Sequence, residues 1–321
     1  MRLGLVLFVL ILAGSSCFAA SLELKAIISN TPRSYTTIAS ADCTYTSIQE
    51  ALDSSDVKEL YIMDETQRES GVIINRDVAL YGFGSEHSII SGEGNDRIFE
   101  ILENTQVVIE GMTIRGGYTP LIPRCGAGVC NYGEATIKGC VVEDNRAVYG
   151  AGIINFGMMT MYDSIIQNNR TVPMNTAERL SGEGCTGSGG GIKNDAHATL
   201  MVFDSTIRGN SSLKKGGGLF VSCESQASVM NTSFTENHSN KSGGAIHIRG
   251  DLELKGCTIT SNTATNGSGG LHNQGHLDMT DCKLTMNSSS DYLTDDSGSG
   301  IYGTGEVGEN GNNQIGVGTF L

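Results

Sequence analysis

The chain has 321 residues, of which 43 are glycine and 4 are proline, and it contains no tryptophan. With 39% hydrophobic and 17% charged residues, it is too apolar and too weakly charged for a disordered chain, and its glycines lack the collagen period. The formal net charge is −14 and no basic stripe is present, which argues against a protein that binds nucleic acid.

The chain begins with MRLGLVLFVLILAGSSCFAA, which has the organisation of a secretory signal peptide. One arginine precedes an apolar run, from about Leu3 to Ala13, that is too short to span a bilayer, and small residues follow it. We expect residues 1–19 to be removed by cleavage after Ala19, so that the protein is secreted or displayed at the cell surface. Lipidation of Cys17 is the alternative. No later segment is apolar enough to form a transmembrane helix.

Residues 20–57 are predicted to form an N-terminal segment that ends in a short amphipathic helix. In SIQEALDSS, residues 47–55, the apolar side chains of Ile48, Ala51 and Leu52 share one helical face. Such a helix would cap the open end of a stack of strands, where an edge is otherwise exposed. The apolar segments at 59–64, 71–84 and 88–92 are then typical of short strands.

From residue 126 onward the sequence contains a repeat of about 25 residues. Each unit opens with a Gly-rich motif, continues with short alternating apolar runs, and closes with Phe, Ile, Leu or Val followed three residues later by Asn. Between the alternating apolar run and the closing apolar residue lies Asp, Gly or Asn, followed by a small residue, which is Cys, Ser or Thr. The Gly motifs begin at residues 126, 150, 189, 216, 243 and 268, and the closing asparagines are Asn145, Asn169, Asn210, Asn237, Asn262 and Asn287.

Alternation with period two predicts strands, but strands this short cannot enclose a core within one unit. Stacked units can, if each strand pairs with its equivalent in the next unit at about 4.8 Å. The sequence therefore predicts an all-β fold, a right-handed parallel β-helix of about ten coils over residues 58–303. A Gly- and Asn-rich tail follows at 304–321. The asparagines should form one column, in a left-handed turn conformation. A propeller or sandwich would need longer antiparallel strands joined by hairpins.

The stretch SFTENHSNKSGGAIHIRG, residues 233–250, resembles the paired tetrapeptide repeats of chlamydial polymorphic membrane proteins through its FTEN and GGAI motifs. The resemblance extends over residues 126–303, where the other copies are degenerate, as in IQNN, IRGN, ITSN and LTMN. The N-terminal helix and strands are similar to the entry of pectin-lyase-like β-helices. The family implies an exported, surface-exposed, adhesin-type protein. We expect its partners to be glycans or host and cell-surface molecules.

Enzymes with this fold need clustered carboxylates, an Arg or Lys base beside them, or bound Ca²⁺. The sequence has one adjacent Asp pair, Asp295 and Asp296. The pair is either part of a solvated acidic loop or a ligand-binding site, as paired carboxylates for glycoside hydrolysis or as a Ca²⁺ site. No C-x-x-C pair is present, so a zinc ribbon is not supported. We expect no metal and no cofactor, and we favour a non-catalytic protein.

Two further pairs of side chains recur at equivalent positions of successive units. His247 and His272 are expected to point outward and to stack about 5 Å apart, either as ordinary outer-face residues or as part of a ligand-binding site. Arg146 and Arg170 each follow a column asparagine, and we interpret them as solvated turn residues.

Cleavage after Ala19 would leave eight of the nine cysteines, an even number that permits disulfides in an exported protein. Cys257 and Cys282 belong to a column of small residues that elsewhere holds serine or threonine. We expect both to stack inward as small side chains, although their position on adjacent coils also allows a disulfide between them.

Three insertions, at residues 118–125, 171–188 and 288–297, are predicted to lie at one corner of the coils. Loops on a rigid scaffold commonly carry binding sites. Cys125 and Cys185 lie in the first two insertions, and we expect a disulfide between them. Pairing of Cys125 with Cys130 is the alternative.

The sequence thus predicts a secreted or surface-displayed, non-catalytic β-helix protein that serves adhesion or glycan binding. A carbohydrate-active enzyme of the polysaccharide lyase or hydrolase kind is the second interpretation. A structural component of the cell envelope is the third.

Overall fold

The computed structural model describes residues 25–28, 41–53, 57–120, 125–173, 187–290 and 300–316. Its strands stack along one axis and form the right-handed parallel β-helix that the repeat predicts. Each full coil passes through four sheets, here named I, II, III and IV in the order in which the chain visits them, and these sheets contain 12, 10, 7 and 9 strands. Among the described residues, the coils that lack a sheet III strand lie at the two ends of the stack.

Sheets I and II form the first half of each coil. Sheet I contains β1 (Lys25–Ile28), β2 (Ala41–Tyr45), β3 (Glu59–Ile62), β6 (Val78–Tyr81), β9 (Gln106–Glu110), β13 (Glu134–Lys138), β17 (Met158–Tyr162), β21 (Thr199–Phe203), β25 (Gln226–Met230), β29 (Asp251–Lys255), β33 (His276–Thr280) and β37 (Glu306–Asn310). Sheet II contains β4 (Thr66–Arg68), β7 (Ile89–Ser91), β10 (Thr113–Arg115), β14 (Val141–Glu143), β18 (Ile165–Gln167), β22 (Thr206–Arg208), β26 (Ser233–Thr235), β30 (Thr258–Thr260), β34 (Lys283–Thr285) and β38 (Gln314–Ile315).

Sheets III and IV complete the coil. Sheet III contains the two-residue strands β11 (Tyr118–Thr119), β15 (Arg146–Ala147), β19 (Arg170–Thr171), β23 (Ser211–Ser212), β27 (His238–Ser239), β31 (Thr263–Ala264) and β35 (Ser288–Ser289). Sheet IV contains β5 (Val72–Ile74), β8 (Phe99–Ile101), β12 (Val129–Asn131), β16 (Ile153–Asn155), β20 (Ile192–Asn194), β24 (Leu219–Val221), β28 (Ile246–Ile248), β32 (Leu271–Asn273) and β36 (Ile301–Gly303).

The core is built from the alternate residues of these strands. In β29, Leu252 and Leu254 are buried while the three residues around them are exposed. Phe234, the apolar residue of FTEN, is fully buried in β26. Because in-register parallel pairing places equivalent residues on top of one another, each inward position becomes a continuous apolar column along the axis.

Three turns in each full coil have a residue with positive φ, the last of them at the Gly motif, as at Gly216 (62°). The first precedes the column of small residues, as at Asp163 (48°) and Asp204 (49°), and the second precedes the asparagine column, as at Asn168 (56°) and Gly209 (61°). Glycine, aspartate and asparagine tolerate this conformation best, which explains their recurrence between the runs. The expectation that the column asparagines themselves are left-handed is wrong, because the residue before each one takes the positive φ.

The closing asparagines form one buried column, as predicted. Each donates its side-chain Nδ2 to the Oδ1 of the next at 2.9–3.0 Å, from Asn145 through to Asn287. Each also satisfies a backbone carbonyl of an adjacent coil; Asn237, for example, donates to the Ile207 carbonyl at 2.8 Å. The column therefore meets the polar requirements of a turn that is shielded from water.

The glycine pair of GGAI solves a steric problem at the next corner. Gly243 has a φ of 68°, and a side chain on Gly244 would collide with the carbonyls of Thr263 and Gly269 in the following coil. The corner therefore packs directly against sheet III and leaves no room for a Cβ atom there.

The column of small residues makes a second hydrogen-bonded ladder. The Ser164 hydroxyl donates to the Tyr162 carbonyl at 2.7 Å and accepts the Cys140 N–H at 3.2 Å. The Cys257 thiol takes the same place and donates to the carbonyls of Val229 (3.3 Å) and Lys255 (3.5 Å). Thiol and hydroxyl are interchangeable here because both can donate to the same carbonyls.

A short helix, α1 (Ile48–Asp53), packs near the first coils and buries Ile48, Ala51 and Leu52, as predicted. Glu69 accepts hydrogen bonds from the N–H groups of Ile48 (2.8 Å) and Gln49 (2.9 Å). The carboxylate thus satisfies donors that the first helical turn leaves without an intrahelical partner.

At the other end, β37 and β38 continue sheets I and II into the segment that the sequence assigned to the tail. Val307 and Ile315 in this last partial coil are 42% and 43% exposed, so the end of the described stack is apolar. None of the helices in the described residues is long and apolar enough to cross a membrane.

Candidate binding cleft at the loop corner

A cleft of about 780 Å³ opens on the outer side of sheet III, where the first two insertions begin. Its lining includes Tyr118 and Pro120 from the first insertion, and Val172 and Pro173 from the second. Glu93, Asp144, Arg146 and Arg170 supply its charged groups. A smaller hollow of about 210 Å³ continues along Arg146 and Arg170 to Ser211. The two hollows form a groove that follows the stacking axis, and we call it the arginine cleft.

Strand geometry places the key side chains side by side. Tyr118 pairs in register with Arg146, and Arg146 pairs with Arg170, in three successive coils. Each is the first residue of its two-residue strand and is exposed, while the second residue is buried. Period-two alternation therefore turns one tyrosine and two arginines outward in a row, about 4.8 Å apart from coil to coil.

The two guanidinium groups carry like charge in register. Like charges directly opposite each other on neighbouring strands repel. Within the described residues neither Arg146 nor Arg170 forms an ion pair, whereas Arg68 binds Glu93 at 2.7 Å and Lys138 binds Glu110 at 3.0 Å. The cleft thus holds two guanidinium forks that the described part of the fold leaves available to an anionic or hydroxylated ligand.

The three insertions start from one corner, as the sequence indicates. They follow β11, β19 and β35, which are all strands of sheet III. Residues 121–124, 174–186 and 291–299 lie outside the described residues. Asp295, Asp296 and Cys185 fall in these gaps, so their roles remain predictions.

Sequence reasoning interpreted Arg146 and Arg170 as solvated turn residues and so missed the cleft. The signal was present in the repeat, because both arginines follow a column asparagine and the second one is followed at once by a long insertion. Exposed residues next to the start of an insertion can line a cleft, as Arg146 and Arg170 do here.

His247 and His272 stack as expected, with ring centroids 4.7 Å apart and an interplanar angle of 7°. They do not lie on an exposed outer face, since they are 0% and 8% exposed. Phe220 stacks on His247 and Tyr302 flanks His272, and the Ser242 hydroxyl lies 3.1 Å from Nδ1 of His247. The preceding Gly-motif corner covers this column, which sequence periodicity could not show.

Burial sets the protonation of both histidines. The pKa of His247 is well below its usual value, first because of burial and then because of the positive charges that His272 and Lys215 would place beside it. Burial, followed by Lys215, lowers the pKa of His272 to about 4. Both rings are therefore neutral at physiological pH and form a stacked internal column rather than an exposed ligand site.

Four of the described cysteines lie in two separate clusters. Cys257 and Cys282 are buried free thiols on adjacent coils, and each donates to backbone carbonyls. Cys125 packs with Cys130 and Ile154 in a separate small cluster beside sheet IV. The predicted partner of Cys125, Cys185, lies outside the described residues.

Other polar clusters in the described residues offer little chemistry. His276 lies 3.2 Å from Asp278 and 3.6 Å from Glu306 in an exposed set on sheet I. No group of three or more His, Cys, Asp or Glu side chains in the described part of the chain is arranged to hold a metal ion.

The fold and the cleft define a class, that of parallel β-helix proteins with a groove along one of their sheets. Within that class, residues 231–249 match the model of the Chlamydia polymorphic membrane protein repeat. The chain therefore contains a repeat of the kind found in that family of membrane proteins.

Two solved structures are similar in shape. ORF18 of Geobacillus virus E2 is 11% identical with a TM-score of 0.37, over 84% of this chain and 59% of that chain. The A-module of the mannuronan C-5 epimerase AlgE4 of Azotobacter vinelandii is 12% identical with a TM-score of 0.36, over 85% of this chain and 93% of that chain. The match thus spans only 59% of the viral chain. The search of curated proteins gave no match.

Proposed function

We propose that this chain is an exported, surface-displayed protein that binds glycans through the arginine cleft and does not cleave them. The observation that carries the proposal is the row of Tyr118, Arg146 and Arg170, turned outward in register between two inserted loops. Rigid strands hold the row, and the first residues of the two insertions line the cleft beside it. Loops on a rigid repetitive scaffold commonly carry binding sites.

The chemistry of the row fits an acidic oligosaccharide. Each guanidinium offers a planar fork of donors that matches a carboxylate or sulfate, and also donates to sugar hydroxyls. The Tyr118 side chain, 38% exposed, adds an apolar surface with a polar tip. A volume of about 780 Å³ is that of a small-ligand site and suits a few sugar units.

The overall charge limits the kind of ligand. A net charge of −14 repels a long polyanion at a distance. Binding therefore rests on short-range contacts to one or two acidic groups rather than on steering of an extended polymer.

The surface location has its own support. The matched repeat belongs to a family of membrane proteins, and residues 1–19 have the composition of a signal peptide. Both features favour adhesion to a neighbouring surface as the purpose of glycan binding.

A carbohydrate-active enzyme is the second candidate, because Asp144 and Glu93 line the same cleft as the two arginines. Carboxylates beside arginine resemble an acid–base set. Glu93, however, is already bound to Arg68 at 2.7 Å, so that Asp144 is the carboxylate without an ion pair among the described residues that line the cleft.

The test is a glycan array followed by titration calorimetry with the best acidic and neutral oligosaccharides. We expect Arg146→Ala or Arg170→Ala to weaken binding by about 10–100-fold, the range for loss of a hydrogen bond to a charged group. Lys255→Ala is the matched control, since it removes one positive charge from sheet I outside the cleft.

Absence of any bound glycan, or equal effects of the control and the arginine variants, would contradict the proposal. Incubation with acidic polysaccharides separates the two candidates. Release of reducing or unsaturated ends that Asp144→Ala abolishes would make the protein an enzyme.

A further inference from the structure

The geometry points to a disulfide-forming site at Cys125 and Cys130, which fastens the base of the first inserted loop next to the arginine cleft. Cys125 ends the insertion whose beginning, at Tyr118 and Pro120, lines the cleft. Cys130 is the central residue of β12 in sheet IV. The two thiols lie in one buried cluster with Ile154, at 1% and 0% exposure.

The backbone between the two cysteines is a tight turn. Gly126 has a φ of 66°, and a side chain there would come within 3.3 Å of the Cα of Cys130. The chain thus folds back over residues 125–130 and brings the two side chains into one buried cluster. A bond between them needs a small movement of the sulfur atoms rather than a rearrangement of the coil.

The surroundings make Cys130 the more acidic thiol. The hydrogen bond from Cys125 lowers the pKa of Cys130 first, and the positive charge of Arg97 and the Tyr132 hydroxyl lower it further, against the effect of burial. Arg97 is itself 5% exposed and lies 2.9 Å from Glu100. A cation held beside a buried thiol favours the thiolate, which is the nucleophile of thiol–disulfide exchange.

The oxidant is a small-molecule disulfide of the kind found in an oxidising compartment. The Cys130 thiolate attacks one of its sulfurs, and one thiolate leaves. The Cys125 thiolate then attacks the Cys130 sulfur of the mixed disulfide, and the second thiolate leaves. The two cysteines lose two protons and two electrons, and the oxidant becomes two thiols.

The second cysteine pair is a built-in comparison. Cys257 and Cys282 lie on adjacent coils, but each thiol has two backbone carbonyls at 3.3–3.5 Å, one of them two residues earlier in the chain. Ser205 and Thr232 of the same column donate to the equivalent carbonyl two residues earlier. Oxidation there would remove the donors of the ladder. Cys125 and Cys130 lie in a separate cluster at a Gly-motif corner, outside the column that holds Cys257 and Cys282.

Trypsin makes the test direct, because each pair falls in a single peptide. Cleavage after Arg124 and Lys138 gives residues 125–138, which contain Cys125 and Cys130, and cleavage after Lys255 and Lys283 gives residues 256–283, which contain Cys257 and Cys282. The full chain is equilibrated with oxidised glutathione, unfolded in the presence of N-ethylmaleimide, digested without reductant and analysed by mass spectrometry.

We expect peptide 125–138 without maleimide and about 2 Da lighter than its dithiol form, as the loss of two hydrogens requires. Peptide 256–283 should carry two maleimides and so confirm the alkylation. Two maleimides on peptide 125–138 would overturn the proposal, and so would a cross-link between it and peptide 180–193, which contains Cys185.

Thermal unfolding gives a second measurement. Reduction should lower the midpoint of the oxidised wild type by roughly 2–4 °C. The double variant Cys125→Ser, Cys130→Ser should not respond to reductant, whereas Cys257→Ser should respond as the wild type does. An equal response of the double variant would show that the reducible bond lies elsewhere.

Discussion

At the corner before sheet III, neighbouring residues in the sequence face opposite sides of the chain and differ in burial and in hydrogen bonding. Asn145 and Asn169 are 0% exposed inside the corner, and the residues that follow them, Arg146 and Arg170, point outward into the cleft. The inner face holds the same residue in coil after coil, because only asparagine makes that set of hydrogen bonds. The outer face is free of this demand.

The outer column shows what that freedom allows. Along sheet III its residues are Tyr118, Arg146, Arg170, Ser211, His238, Thr263 and Ser288. Small polar residues fill most of the later coils, whereas the coils beside the first two insertions carry one aromatic and two basic side chains. The inner asparagine column therefore maintains the scaffold, and the outer column holds the side chains of the proposed binding site.

The largest effect on the free energy of unfolding is expected from breaking the inner column at Asn210. Its side chain donates to the Ile166 carbonyl (2.8 Å) and to Asn237 Oδ1 (3.0 Å), and it accepts from the N–H and Nδ2 of Asn169, both at 3.0 Å. Asn210→Ala leaves these buried groups unsatisfied and should cost about 3–4 kcal/mol. Chemical denaturation followed by circular dichroism measures it.

Ser211→Ala is the matched control, one residue along on the outer face. It removes a hydroxyl of a half-buried side chain and should change the free energy of unfolding by less than about 0.5 kcal/mol. Equal costs at the two positions would refute the division between the inner and outer faces.

Acidification should lower the free energy of unfolding by a smaller amount, on the order of 2 kcal/mol, because the histidine column is buried in its neutral form. The folded-state pKa of His272 is lowered to about 4, and that of His247 is also lowered, so the unfolded chain takes up protons first. Stability is then full above about pH 6.5, falls as the pH drops towards 4, and levels off once the folded rings protonate. Thermal midpoints measured across that range test it.

Charged and polar groups around the two histidines also affect their protonation, so the prediction needs a variant that removes one histidine and leaves those groups in place. Lys215 and Arg249 disfavour a further positive charge, while Gln274 favours protonation of His247. His272→Phe removes one titrating ring and keeps the stack, as Phe220 does two coils earlier in the same column. The variant should lose part of the pH dependence between pH 6.5 and 4. An unchanged slope would assign the dependence to other groups.

The sequence predicts the environment of inward-facing residues better than that of outward-facing residues. The inner features follow from periodicity and turn chemistry, because Phe234, Asn237 and Gly244 each satisfy a local demand that repeats in every coil. The cap helix is predictable in the same way from its apolar face. The sequence does not indicate that the Glu69 carboxylate accepts hydrogen bonds from the first N–H groups of this helix.

The outer features could not be predicted, because they depend on what covers a position rather than on its period. His247 is in an outward position but is buried beneath a Gly-motif corner, whereas Arg146 is in an outward position and is exposed. Cys130 lies in one buried cluster with Cys125 across the Gly126 turn, and nothing in the repeat distinguishes that turn from the Gly-motif corners of the other coils. Sequence spacing alone treats all of these positions alike.

The smallest effect on stability, and the sharpest separation of the two faces, is expected from Arg170→Glu. The substitution replaces a repelling pair of guanidinium groups by an opposite-charge pair in register with Arg146. Cross-strand pairs of opposite charge contribute about 0.2–1 kcal/mol, so the variant should be as stable as the wild type or slightly more stable. At the same time it places a carboxylate on the floor of the cleft and should abolish binding of an acidic glycan, while Arg170→Ala only weakens it. Denaturation and titration calorimetry on the same preparation measure both quantities. If the arginines serve the fold alone, stability changes and ligand binding does not, and the arginine cleft is not the binding site.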